Sequence, residues 1–277
     1  MEARLQPLVS VIMPCYCAET WLDQAIASVA AQSITDWELL ILDDCSSDSS
    51  PQIAERWAKK DKRIRLIQNP RNCGVAWTRN RGLDLAAGTW IALLDSDDFW
   101  RPDKLRRQLE LADRTGAELI YASYTMFREN PSRQTVYRVP SSVSYEDLLK
   151  ENVIGCSTVL LKRAALGNRR FSLELYHEDY ALWLELLRSG VQAAGCEEIL
   201  ADWRILPGSR SFRKWSAAKN RWQIYRKSEK LSIPRSLRCF ASYAVRGLAK
   251  HKRLLVKVRL GELTADKQAL RVDRIIL

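Results

Sequence analysis

The stretch "IALLDSDDFWRPD", residues 91–103, passes from pure hydrocarbon to a cluster of acids. Ile91, Ala92, Leu93 and Leu94 have the continuous apolar character of a strand buried on both faces, as in a parallel sheet. Asp95, Asp97 and Asp98 arrive almost together, with Asp103 close behind. Like charges crowded at a strand end repel one another, and desolvating them is costly. A buried strand ending this way asks for a cation, and open α/β sheets hold their ligands outside the carboxyl ends of the strands.

Upstream, the same apolar run recurs in alternation with helical patterns. "LVSVIM" (8–13), "WELLILDD" (37–44) and "IRLIQN" (64–69) read as strands, "TWIALLDSDD" (89–98) as the fourth and "AELIYASY" (117–124) as the fifth. Between them, Thr20 serves as N-cap to "WLDQAIASVAAQ", whose Leu22, Ile26 and Val29 recur at helical spacing. Pro51 sits in the first turn of a helix over 49–61, Gly88 ends a helix over 74–88, and Pro102 opens one reaching about Arg114. This βαβαβαβαβ rhythm predicts an α/β fold, a doubly wound, mostly parallel sheet with helices on both faces. Past Tyr124 the rhythm breaks into shorter strands and loops. "EDYALWLELLRSG" (178–190) is an amphipathic helix ended by Gly190, and basic helical stretches interrupted by Pro234 follow from about Ser216.

A chain of 277 residues is long enough for one substantial core with an appendage. The formal net charge of +11 is unevenly placed: residues 1–200 sum to −4 and residues 201–277 to +15. The seven cysteines form no CxxC pair and no secretory signal precedes them, which predicts reduced thiols and a cytoplasmic setting. No window approaches the roughly 20 apolar residues needed to cross a bilayer.

On a parallel sheet the first, second and fourth strand ends bring Pro14 and Tyr16, Asp43 and Asp44, and the "DSDD" acids to one rim. On extended backbone Asp95 and Asp97 project to one side and Asp98 elsewhere. Two hard carboxylates on one side suit Mg²⁺ or Mn²⁺, which bind a few carboxylates together with substrate phosphates. A zinc site is not expected, because the cysteines lack ligand spacing and His177 and His251 are the only histidines. An aspartyl-phosphatase reading of DxD fails on Phe99 at the fifth motif position and on the motif's late arrival. A dinucleotide-binding reading fails because no GxGxxG follows the first strand.

The ordered set "VSVIMPCY", "WELLILDDCSSDSS", "NPRNCGVAWTRNRGLDLAAGTWIALLDSDD", "HEDYALWLELLRSG" and "WRILPGSRS" resembles the inverting family-two glycosyltransferases of the GT-A fold. The resemblance spans about residues 8–211 and is closest to bacterial transferases of teichuronic acid, capsule and exopolysaccharide assembly. It implies that Pro14, Tyr16 and Asp44 hold the donor nucleoside, with Glu19 near the same pocket. Arg79 would lie beside base and diphosphate, Asp95 would touch donor and metal, and Asp97 would contact the metal directly. Asp179 would be the general base, with Glu178 the alternative. One carboxylate suffices for single in-line displacement with inversion.

The sequence departs from the family at two places. Cys17 stands where relatives commonly carry Asn, and Leu206 where many carry a histidine; Arg204, Ser209 or Arg210 remain candidates to reach the diphosphate. The QxxRW motif of processive synthases is absent, so single-sugar addition is expected. The expected division is a nucleotide-sugar transferase domain over 1–211 and a basic, aromatic helical extension over 212–277. Its Arg and Lys interleaved with Trp and Tyr suit a lipid-linked glycan acceptor and the inner face of the cell membrane; no nucleic-acid motif is present. A nucleotidyltransferase would want a Gly-rich basic loop where "PCYCAETW" stands, and an inactive sugar- or lipid-binding relative would not need the acidic set.

Overall fold

The structure, a computed structural model, describes residues 6–127, 134–206 and 214–245. The chain divides into two compact units, 1–230 and 231–277. In the first unit the elements run β1 (Val9–Cys15), α1 (Leu22–Ala30), β2 (Trp37–Asp43), α2 (Ser50–Lys60), β3 (Ile64–Gln68), α3 (Val75–Leu85) and β4 (Trp90–Leu93). There follow β5 (Phe99–Trp100), α4 (Lys104–Thr115), β6 (Leu119–Phe127), β7 (Gln134–Tyr137), α5 (Tyr145–Lys150), a 3₁₀ turn (Cys156–Thr158), β8 (Leu160–Lys162) and α6 (Arg163–Leu166). The unit closes with α7 (Glu178–Arg188), β9 (Ala193–Arg204), α8 (Lys214–Gln223) and a π-helical turn (Ile224–Ser228). In the second unit, the described residues hold one helix, 233–245.

The sheet order is β3-β2-β1-β4-β8-β6-β9-β5, with β7 paired to β6. β1 to β4 are mutually parallel, β8 runs against both of its neighbours, and β6 pairs β9 in parallel over a bulged register. Helices cover both faces, as the alternating pattern predicts. Val9, Val11, Met13 and Cys15 pack with Leu22, Ile26 and Val29 of α1 and Ile53 of α2. The residues between them turn toward α3, where a Cβ on Gly82 would come within 2.5 Å of the Ile12 side chain. Burial of these aliphatic side chains, at roughly 25 cal/mol per Å², is the dominant stabilising term of the parallel half.

Three local expectations are corrected. Thr20 does not cap α1; Trp21 occupies that position, and the Ala18 carbonyl accepts the N–H groups of Trp21 and Leu22. α3 ends at Leu85, and Ala86 is already extended. Gly88 is therefore not a helix stop but a close crossing over β1, where a Cβ would sit 2.5 Å from the Ser10 nitrogen. The fourth strand ends at Leu93, so Asp95 and Asp97 do not alternate along extended backbone. They lie instead in a tight turn closed by Asp98 N–H donating to the Asp95 carbonyl at 3.1 Å.

Candidate active site

Parallel register sets the rim. Cys15 pairs with Asp43, and the next N–H, that of Asp44, donates to the Cys15 carbonyl at 2.8 Å. Leu94 N–H donates to Ile12, so Tyr16, Asp44 and Asp95 leave their strands at the same end of the sheet. They border an open cleft of about 540 Å³ that also takes in Pro14, Cys17, Trp21, Asn72, Gly74, Val75, Thr78, Arg79, Ser96, Asp97 and Leu206. Tyr16 is 54% exposed at the mouth of the cleft, so an aromatic surface is open to a flat base.

The floor is the "DSDD" turn, and Asp98 is its anchor. The Asp98 carboxylate is buried, accepts the Ser157 hydroxyl at 2.6 Å and the Arg204 N–H at 2.9 Å. Burial, then the charges of Asp97 and Asp95, push its acid well above the usual carboxylate range. The Ser157 oxygen also accepts the Asp95 N–H at 3.2 Å. From the opposite side Arg204 donates Nε to the Asp97 carbonyl at 3.1 Å and stacks 3.8 Å from the Trp21 ring. Asp98 thus orients the floor and does not cap α4. Ser157 and Trp21 were not legible as supports of the acidic turn, since neither stands in an acidic motif; of the two only Ser157, in the "GCST" segment (155–158), was placed near the site, beside the acceptor's entry. Arg204 clamps the turn through Asp97 and Asp98, while Ser209 and Arg210 lie outside the described residues.

Arg79 projects from α3 into the middle of the site and is buried, not part of a solvated face. One terminal nitrogen donates to Asp95 at 2.5 Å and the other to Glu178 at 2.8 Å. Its Nε is buried with no hydrogen-bond partner among the described residues. Burial opposes its charge, but Asp95, Cys156, Glu178 and Asp179 more than offset this and raise its pKa. Glu178 opens α7 and is buried; Asp179, the next residue, is half-buried, and the donor at its carboxylate is the Tyr180 N–H. Burial and then the neighbouring Glu178 charge push the Asp179 acid up to about 6, against the pull of Arg79.

The remaining candidates separate. Asp44 is buried at the cleft wall and organises the loop before α3: it accepts Asn69 at 2.7 Å and the N–H groups of Cys73 at 2.9 Å and Gly74 at 2.8 Å. Gly74 takes φ 85°, which only glycine adopts without strain, so the loop can fold back on Asp44. Glu19 does not line the cleft. It is exposed and accepts the Ser49 N–H at 2.9 Å, securing the start of α2. Glu178 and Asp179 also stand outside the cleft lining, and Glu178 is joined to it through Arg79.

A divalent cation fits the floor. The Asp97 carboxylate is held by its own backbone N–H, and burial, then the Asp95 charge, push its acid up to about 6. Two hard oxygen donors beside one another, one of them outside any ion pair among the described residues, make the donor set that Mg²⁺ and Mn²⁺ complete with phosphate oxygens. No group of three or more His, Cys, Asp or Glu ligands is assembled among the described residues, and Leu206 offers none. The seven cysteines are all free thiols.

This cleft is built by the segment that matches a known family: residues 10–170 correspond to glycosyl transferase family 2. The chain belongs to that family. The family-two transferase is 37% identical over 246 residues to TuaG of Bacillus subtilis (strain 168), named for teichuronic acid biosynthesis, across 88% of this chain and 98% of TuaG. It is 35% identical over 246 residues to WfgD of Escherichia coli, across 88% of this chain and 95% of WfgD. WfgD is named as a UDP-Glc:alpha-D-GlcNAc-diphosphoundecaprenol beta-1,3-glucosyltransferase. In fold the transferase is similar to S. aureus TarS, solved with UDP: TM-score 0.67, 19% identity, 87% of this chain and 72% of that one. It is similar as well to the mannosyltransferase PcManGT of Pyrobaculum calidifontis, solved with GDP-Man and Mn²⁺: TM-score 0.62, 16% identity, 94% of this chain and 81% of that one. The curled, parallel-rich sheet is thus the GT-A architecture, and the transferase is an enzyme that moves a glycosyl group.

Proposed function

We propose that this transferase moves one sugar from a nucleoside-diphosphate donor, a UDP-sugar, to a lipid-linked glycan in bacterial surface polysaccharide assembly, with inversion and without processive elongation. The observation that carries the reading is the joining, through Arg79, of the aromatic- and carboxylate-lined cleft to Glu178 at the start of α7, where Asp179 is the next residue. The names of TuaG and WfgD support the pathway and the lipid-linked acceptor, and the UDP complex of TarS supports the donor.

In this reading Tyr16 and Pro14 hold the base, the Asp44-braced loop walls the nucleoside, and Arg79 faces the diphosphate. Asp95 and Asp97 would hold Mg²⁺ or Mn²⁺, which supplies Lewis-acid stabilisation of diphosphate charge. Asp179 takes the proton of the acceptor hydroxyl as that oxygen bonds to the anomeric carbon, from the face opposite the departing diphosphate. The C–O bond to diphosphate breaks in the same displacement, and the configuration inverts.

The membrane reading rests on the last quarter of the chain. With residues 1–211 as the transferase domain, the basic segment 212–277 would bring the enzyme to the anionic inner face of the cell membrane. Residues 246–277 lie outside the described residues. Among the described residues no helix is long and apolar enough to cross a membrane.

The test is transfer from UDP- and GDP-sugars to a polyprenyl-diphosphate glycan, with and without Mn²⁺, wild type against Asp97→Ala. Cation-dependent transfer with an inverted product that Asp97→Ala loses supports the reading; absence of transfer from every donor defeats it. Vesicles containing anionic lipid test the membrane role separately, by comparing the full chain with residues 1–230, the first compact unit.

A further inference from the structure

We propose that Glu178 is a positioning residue: through Arg79 it ties the start of α7 to the floor of the donor cleft and thereby aims Asp179 at the acceptor hydroxyl. This rests on the reading of the chain as a single-displacement transferase with Asp179 as base. Two adjacent carboxylates at a helix N-terminus are equivalent to the helix dipole. Their surroundings make them different.

Glu178 is 3% exposed and its carboxylate is taken by Arg79 at 2.8 Å, inside a guanidinium that is itself only 5% exposed. To meet a substrate hydroxyl it would have to break this buried ion pair, which is strongly unfavourable. Asp179 lies one residue on, about 100° around the helix, half-buried and held by the Tyr180 N–H, with no ion pair among the described residues.

The arginine between them is fixed from three sides. Asp95 and Glu178 take its two terminal nitrogens, and the Phe171 ring stands 5.6 Å from its guanidinium carbon. Phe171 is in turn held by Asn80, the residue after Arg79, which exchanges two 2.8 Å hydrogen bonds with its backbone. One cation therefore locks the donor floor to the first turn of α7. The groups facing Asp179 are Glu178 on its own helix, Arg79 from α3, Asp95 from the turn after β4 and Cys156 from the 3₁₀ turn.

The experiment measures kcat, donor KM and the pH dependence of kcat/KM for Asp179→Asn, Glu178→Gln and Glu178→Asp, with folding checked by melting temperature. Asp179→Asn is expected to lose about 10³-fold in kcat, as loss of a general base does. Glu178→Gln keeps the reach to Arg79 but removes a negative charge beside Asp179. Its kcat should fall about 10-fold through misplacement, donor KM should hold, and the acid limb should move from about pH 6 to lower pH. Glu178→Asp keeps the charge and shortens the reach, so kcat should fall similarly while the limb stays in place. If Glu178→Gln is as inactive as Asp179→Asn with donor binding intact, Glu178 is the base and the proposal is overturned. It is overturned equally if both Glu178 variants match wild type in rate and pH profile, or if neither folds. A fully active Asp179→Asn instead defeats the reading beneath it.

Discussion

Ser157 donates its hydroxyl to the buried Asp98 carboxylate at 2.6 Å, and the same oxygen accepts the Asp95 N–H at 3.2 Å. One side chain from a 3₁₀ turn thus holds both ends of the acidic turn. Ser157→Ala leaves Asp98 with one donor and Asp95 N–H with none, and each lost buried bond costs about 1–3 kcal/mol. The variant should unfold at lower denaturant and bind UDP in the presence of Mn²⁺ more weakly, by calorimetry. Unchanged nucleotide affinity would show that the turn holds its shape without this anchor.

Asp97 and Asp179 give stability an unusual pH dependence. Both acids are raised from 3.8 to about 6, mainly by burial. Folding therefore retains protons that an unfolded carboxyl releases, so their contribution is complete below about pH 4 and lost as pH rises through about 6. Asp179→Asn, neutral throughout, should be more stable than wild type at about pH 7.5, by on the order of 1–3 kcal/mol. The gain should vanish toward pH 4. Equal unfolding midpoints for variant and wild type across that range would contradict the assignment of burial as the cause.

Cys17 lines the cleft mouth with φ 46°, in the left-handed region, and its N–H donates to Ser46 Oγ at 2.9 Å. Asn tolerates this backbone better than any other non-glycine residue. Cys17→Asn should raise stability by up to about 1 kcal/mol, while Cys17→Val, β-branched, should lower it. Thermal unfolding decides; the reverse order would mean that packing of the thiol outweighs the backbone.

Gly88 and Gly116 separate close approach from backbone freedom. Alanine at 88 would place its Cβ 2.5 Å from the Ser10 nitrogen of β1, so the crossing must open, at about 1–3 kcal/mol or more. Alanine at 116 meets nothing within 4 Å and carries only the strain of φ +70°, about 1 kcal/mol. Denaturant titration should show Gly88→Ala as the more damaging of the two.

The parallel half was legible because each strand is a run of apolar residues between helical periods, and parallel strands put their ends on one rim. Pro14, Tyr16, Asp44, Asp95 and Asp97 were found by that rule, and all five border the cleft. The rule is blind to partners from other parts of the chain. Ser157 and Arg204 reach Asp98 from a 3₁₀ turn and from β9, a bulged strand whose pairing with β6 no local period announces. The extended geometry assumed for residues 95–98 was wrong for a related reason: a tight turn and a period-two strand space their side chains alike in sequence. Glu19 was placed near the pocket by the family resemblance, whereas its carboxylate serves the start of α2.

Asp98 and its partners are separated by 59 and 106 residues of chain. During synthesis β1 to β4 emerge early, but the acidic turn acquires its first anchor only when Ser157 has left the ribosome and its second only with Arg204. Contacts of such sequence separation form late, because loop closure must precede them. A nascent chain can therefore hold most of its parallel sheet while its acidic floor is still loose. Competence to bind donor should appear abruptly, near the end of translation, and not in proportion to the length made.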